Sequence, residues 1–133
     1  MLELGSGTGL GGICMAKLLE AEVNAELMSD LTSSVVMSDI CTKSLDTLST
    51  NLSKAGNLTN VDRVSLVELE WGNHSSDWAR QNQGAFDLII ASDVVYLPEC
   101  VDPLLHSIRH FLKPATGKCL LVNNLVRTEA FLE

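Results

Sequence analysis

The chain has 133 residues, 46% hydrophobic and 20% charged, which is enough for one core and too little for two. Its net charge of -8 and pI near 4.7 argue against a protein that grips nucleic acid by neutralising phosphates, because that mode needs a basic face. No apolar run approaches the roughly 18 residues of a membrane helix and no charged, apolar, small-residue leader opens the chain, so the expectation is a cytoplasmic protein without membrane contact.

Met1 to Leu4 reads as the tail of a strand feeding a tight turn, Gly5-Ser6-Gly7-Thr8-Gly9, and from Leu10 to about Glu20 the residues Ile13, Ala16 and Leu19 recur at helical spacing. The stretch Ala21 to Ser34 either prolongs that helix or forms a surface insertion, with a break near Ser29 to Ser34. Val35-Val36-Met37 reads as a buried strand ending at Ser38-Asp39, and Leu45, Leu48 and Leu52 mark a helix that stops at Gly56-Asn57. Val64 to Leu69 gives a third strand running into Glu70-Trp71-Gly72. The polar connection after it holds a short helix around Trp78. Phe86-Asp87-Leu88-Ile89-Ile90-Ala91 is the apolar run of a strand covered on both faces and ends at Ser92-Asp93. Val101, Leu104, Leu105, Ile108 and Leu112 line one face of the next helix, with Pro103 in its first turn and Pro114 beyond its end. Lys118 to Asn123 supplies a fifth strand. Strands alternating with helices predict an α/β fold: a mainly parallel sheet with helices on both faces, in one domain spanning residues 1–133.

Cys14, Cys41, Cys100 and Cys119 are scattered and form no C-x-x-C, so they are expected to be buried free thiols without zinc or a disulfide framework. Asn-x-Ser/Thr triplets begin at Asn51, Asn57 and Asn73 and read as ordinary surface sequence in a chain with no secretory leader. His106 and His110, one helical turn apart, lack a third ligand and read as helix-surface residues, so no metal is expected.

In doubly wound sheets ligands settle beyond the carboxyl ends of the strands, where strand order reverses. Four strand ends here supply Gly5 to Gly9, Asp39, Trp71 and Asp93. A glycine turn lets backbone approach a ligand. A carboxylate closing the second strand is placed to accept the hydroxyls of an adenosine ribose. Gly7-x-Gly9-x-x-Gly12 also fits a dinucleotide fingerprint, so the turn alone leaves the cofactor open.

The run Leu2-Glu3-Leu4-Gly5-Ser6-Gly7-Thr8-Gly9-Leu10, then Ser38-Asp39, Leu69-Glu70-Trp71-Gly72 and Phe86 through Ser92-Asp93-Val94-Val95-Tyr96 resembles the seven-β-strand protein-lysine methyltransferases of methyltransferase family 16. The interval from Asp39 to Asn51 and the run Tyr96-Leu97-Pro98-Glu99 look most like the elongation factor 2 lysine methyltransferase branch. That resemblance implies a Rossmann-like fold, S-adenosyl-L-methionine as cofactor and a lysine side chain of a protein as acceptor. It also implies the site. Glu3 and the Gly5-Ser6-Gly7-Thr8-Gly9 turn would contact the methionine end of the cofactor, Asp39 the ribose, and Trp71 with Ala91 and Ser92 the adenine. Asp93-Val94-Val95-Tyr96 matches the family's Asp-x-x-Tyr motif, which gives Asp93 and Tyr96 as catalytic residues. Two other classes stay open: a non-catalytic scaffold built on the same fold, and a nicotinamide-dependent oxidoreductase, which Trp71 and Asp93-x-x-Tyr96 disfavour.

Two features depart from the family pattern. The first strand has about four residues where 5 to 6 are typical, and the chain stops at Glu133 soon after the fifth strand. A fragment lacking N-terminal elements and the final strand pair is therefore expected. Asp39 also lies farther from Gly9 than the usual interval of about 20 residues; Asp30 is nearer that spacing but follows no convincing buried strand.

Overall fold

The computed structural model describes residues 1–24, 34–54, 58 and 61–124. The apolar runs form five strands: β1 (Leu2–Leu4), β2 (Val35–Asp39), β3 (Val64–Glu68), β4 (Leu88–Ser92) and β5 (Lys118–Val122). All neighbours pair in parallel, in the order β3-β2-β1-β4-β5. Parallel neighbours need crossovers, and the helical segments supply them: α1 (Leu10–Asn24), α2 (Thr42–Lys54), α3 (Asp77–Gln81) and α4 (Val101–Phe111). Gly56, Asn57 and Asp30 lie outside the described residues, as does most of the stretch Ala21 to Ser34.

Because side chains alternate across a strand, the sheet buries two separate sets. On one face Met1, Val35, Met37, Val64 and Leu66 pack against Ile13, Ala16 and Leu19 of α1 and Leu48 and Leu52 of α2. On the other, Leu2, Leu4, Val36, Ile89 and Ala91 pack against Ala79 of α3 and Leu104, Ile108 and Phe111 of α4. Helices therefore cover both faces of the sheet. Leu2, Leu4, Ile89 and Leu104 are fully buried, each contributing about 2 kcal/mol from apolar surface withdrawn from water.

The order places β1 at the centre, where the chain turns first towards β2 and β3 and later crosses to β4 and β5. Strand order thus reverses between β1 and β4, and their carboxyl ends bound a crevice.

Several expectations are corrected. The fourth strand starts at Leu88; Phe86 makes only an isolated parallel bridge to Leu112, and its ring joins Trp78 and Phe111 in an aromatic cluster. That cluster draws α4 down on the Leu104, Ser107 and Phe111 side, leaving Leu105 52% exposed. The cysteines are free but not buried. Cys14, Cys41 and Cys119 are exposed: Cys14 lies on α1, Cys41 just precedes α2, and Cys119 lies on the outermost strand β5.

Candidate functional site

After Leu4 the chain must reverse and start α1 within five residues. Gly5 and Gly9 take φ of 68° and 92°, which L side chains avoid. Space demands glycine there too. A Cβ on Gly5 would stand 2.8 Å from Val94 Cγ1 and 3.1 Å from Trp71 Cζ2, and one on Gly9 would stand 2.7 Å from Leu48 Cγ. The Ser6 N–H donates to the Ser38 carbonyl and the Gly9 N–H to the Ser6 carbonyl. From α2, the Asn51 side-chain amide donates to the Thr8 carbonyl at 3.0 Å.

Asp39 welds this turn to the end of β2. One carboxylate oxygen accepts the Gly7 N–H at 2.9 Å and the other the Cys41 N–H at 2.8 Å. Glu3 works beneath the turn: it is 3% exposed and its Oε2 accepts the Gly12 N–H at 3.0 Å. Burial pushes the Glu3 carboxyl above the usual range, and hydrogen bonds from Ser6 and Gly12 pull part of the way back.

Beyond the strand ends lies a cavity of about 370 Å³. Gly5 enters it from β1, Asp39 and Ile40 from β2, Leu69, Glu70 and Trp71 from β3, and Asp93, Val94 and Tyr96 from β4; Glu99, Cys100 and Pro103 close it where α4 begins. Among the described residues four carboxylates line it, and no lysine, arginine or histidine does. The Trp71 turn is anchored behind. Gly72, at φ 80°, donates its N–H to the buried Ser107 Oγ at 2.9 Å. Asp93 holds φ 54°, a left-handed conformation costing about 1 kcal/mol that Asp tolerates better than most residues; its N–H donates to the Val122 carbonyl at 2.7 Å.

Of the residues nominated from the sequence, Gly5, Asp39, Trp71, Asp93 and Tyr96 meet at this cavity. Glu3 and Ser6 are buried behind it, and Gly7 and Gly9 shape the turn. Ala91 is 1% exposed inside β4, and Ser92 ends that strand on the exposed side. Sequence reasoning missed Ile40, Leu69, Glu70 and Val94 as lining residues, although Ile40, Glu70 and Val94 each adjoin a nominated one and Leu69 lies two residues before Trp71. Glu99, Cys100 and Pro103 carry no strand-end signal and are placed only by the packing of α4.

Among the described residues no group of three or more His, Cys, Asp or Glu side chains is placed to hold a metal ion. His110 stacks on His74 with ring centroids 4.0 Å apart and bonds the Ala79 carbonyl through Nε2 at 3.0 Å. Among the described residues, no helix is long and apolar enough to cross a membrane.

A family profile described as lysine methyltransferase matches residues 1–130. The chain is 33% identical over 110 residues to protein N-lysine methyltransferase METTL21A of Danio rerio, covering 83% of this chain and 43% of that protein. To protein-lysine N-methyltransferase EFM2 of Saccharomyces cerevisiae it is 32% identical over 123 residues, covering 91% and 27%. The chain thus spans less than half the length of these relatives. Among solved structures, PKMT2 from Rickettsia typhi in complex with AdoHcy superposes with a TM-score of 0.63 at 19% identity, over 89% of this chain and 19% of that one. The PH0226 protein from Pyrococcus horikoshii superposes with a TM-score of 0.61 at 19% identity, over 98% and 52%. These likenesses establish a Rossmann-like fold.

Proposed function

The chain belongs to the lysine methyltransferase family, and from that premise we propose that it binds S-adenosyl-L-methionine and serves transfer of the methyl group to the side-chain amine of a lysine in a protein substrate. The observation that carries this reading is the convergence of Gly5, Asp39, Trp71, Asp93 and Tyr96 on one cavity that, among the described residues, is lined by four carboxylates and no cationic side chain. A cofactor with a positive sulfonium and no phosphate suits such a cavity. A dinucleotide does not: its pyrophosphate would face Asp39, Glu70, Asp93 and Glu99, and the Gly7 N–H it would use is already given to Asp39.

The fit is specific to the residues. Asp39 keeps lone pairs for two ribose hydroxyls after accepting its two backbone N–H groups. Trp71, Leu69 and Ile40 offer apolar walls for an adenine, and in this reading Ala91 and Ser92, at the end of β4, belong to the adenine end. Glu3 and the glycine turn Gly5 to Gly9 form the methionine end, Glu3 acting from beneath. When bound, the cofactor supplies an electrophilic methyl carbon. The chain's part is to align a neutral amine behind that carbon. A lysine with a pKa near 10.4 costs about 4 kcal/mol to present uncharged near pH 7.4, at ~1.36 kcal/mol per pH unit. Asp93 orients the amine or the cofactor and Tyr96 walls the lysine channel; the ammonium gives its proton to solvent before transfer, which the sulfonium favours by disfavouring a second cation beside it.

In this reading residues 1–133 are one methyltransferase domain, completed by further chain as in the longer relatives. The acceptor in this reading is a translation elongation factor, supported by the run Tyr96-Leu97-Pro98-Glu99 and the interval from Asp39 to Asn51, which resemble the elongation factor 2 lysine methyltransferase branch. Calorimetric titration with S-adenosylhomocysteine and with NAD tests the cofactor: binding of the first alone is expected, and binding of NAD alone would sink the proposal. With labelled cofactor and purified elongation factors, transfer of label to lysine is expected. Asp93→Ala and Tyr96→Phe should reduce it at least tenfold; unchanged turnover would remove both residues from the chemistry.

A further inference from the structure

The segment from Asp93 to Tyr96 has no regular hydrogen-bonded structure of its own, yet it must present Asp93 and Tyr96 to the cavity. Its fixed points come from the end of β5. The Asp93 N–H donates to the Val122 carbonyl. One residue on, the side chain of Asn123 reaches Val95: the Val95 N–H donates to Asn123 Oδ1 at 3.1 Å, and Asn123 Nδ2 donates to the Val95 carbonyl at 2.9 Å. An amide side chain is one of few that can both accept from and donate to the backbone of the same residue. Asn123 thereby continues the β4–β5 pairing one step past Val122, using side-chain instead of backbone groups.

Val95 stands between Val94, which is buried and lines the cavity, and Tyr96, which is 52% exposed at its mouth. Fixing both polar groups of Val95 sets the peptide planes on either side and so the direction in which Tyr96 leaves the backbone. We propose that Asn123 is a positioning residue: its two-point clamp on Val95 holds the Asp93–Tyr96 segment in the arrangement that presents Tyr96 to the acceptor lysine. The proposal rests on the reading of Asp93 and Tyr96 as catalytic and adds the group that holds them. Functional groups reach productive geometry only when a supporting shell restrains them.

Tyr96 is the only tyrosine of the chain, so 3-fluorotyrosine incorporation gives a single ¹⁹F reporter on this segment. In the unsubstituted chain, at concentrations where light scattering shows a monomer, one narrow line is expected, together with slow exchange of the Val95 amide. Asn123→Leu removes both hydrogen bonds. Asn123→Asp, nearly the same size, keeps the acceptor and cannot donate to the Val95 carbonyl. Both should shift and broaden the Tyr96 line and speed Val95 exchange at least tenfold, while amides inside β1 and β2 stay protected. A Tyr96 line unchanged in both variants would overturn the clamp. So would a Val95 amide exchanging at the rate of an unprotected peptide in the unsubstituted chain, a measurement that needs no variant to fold. Addition of S-adenosylhomocysteine separates the two ideas: a chain that fails to bind it counts against the proposed function and leaves the clamp to be judged by the ¹⁹F line and the exchange rate.

Discussion

At Gly5 two independent constraints coincide, a φ of 68° and a missing Cβ that would strike Val94 and Trp71. Gly5→Ala should therefore cost about 1–3 kcal/mol in urea melts and weaken S-adenosylhomocysteine binding more than the stability loss explains, because both clashing partners line the cavity. Asp39→Ala leaves the Gly7 and Cys41 N–H groups without their acceptor. We expect a loss of about 2 kcal/mol together with at least tenfold weaker binding; full binding with reduced stability would show that Asp39 only ties the turns. Glu3 behaves differently. Its carboxyl is pushed up by burial, so the folded state prefers it protonated: the stability linked to it is complete below the ordinary value of 4.5 and is lost as pH rises through the folded value. Glu3→Gln keeps an acceptor for Gly12 and should be at least as stable as the unsubstituted chain at pH 7.5, the difference vanishing towards pH 4.5. The glycines and Asp39 were legible because each closes an apolar run. That Asp39 spends lone pairs on backbone, or that Glu3 lies under the helix, was not, since both depend on which turns the sheet brings together.

Between elements, α4 does more than cover the sheet. Ser107, fully buried, accepts the Gly72 N–H and lies 3.2 Å from His74 Nε2. One hydroxyl thus ties the loop after β3, and with it Trp71, to α4. Helical periodicity predicted the helix but put Leu105 on its inner face, because hydrophobicity alone cannot show that a serine is buried to satisfy a distant N–H. His74 is held between groups that resist its charge: burial lowers its pKa from 6.5 and the neighbouring His110 and His106 lower it further. The linkage sign follows. A histidine lowered on folding contributes stability that is complete above 6.5 and falls as pH drops towards the folded value. Chemical denaturation at pH 7.5 and 5.5 should show the chain losing stability at the lower pH, and His74→Gln should shrink that difference; an unchanged difference would mean that His74 accepts its proton without penalty.

For the molecule as a whole, a mainly parallel sheet with helices on both faces was readable from alternation alone, since five short apolar runs separated by helical segments point to that class; the strand order was not. What alternation does not reveal is how unevenly the sheet is covered. Every residue of β5 is exposed, with Leu120, Leu121 and Val122 44–56% accessible, whereas β1 and most of β2 are buried on both faces. On α1, Leu10 and Leu18 also face outward at 77% and 59%. An apolar strand with an open edge is a template for pairing with another strand. Residues 1–133 alone should therefore self-associate as concentration rises, seen as growing mass in light scattering, and should melt at low temperature with weak cooperativity. Leu121→Lys, charging the edge without touching the cavity, should lower the association and leave S-adenosylhomocysteine affinity as it was. A monomer at all concentrations with a sharp melt would mean that the β5 edge is protected in the isolated chain. The cavity is built mainly from the ends of β1 to β4, and the edge supports it through the hydrogen bonds of Val122 and Asn123. Association through β5 should therefore perturb the Tyr96 segment before it perturbs the Gly5 turn.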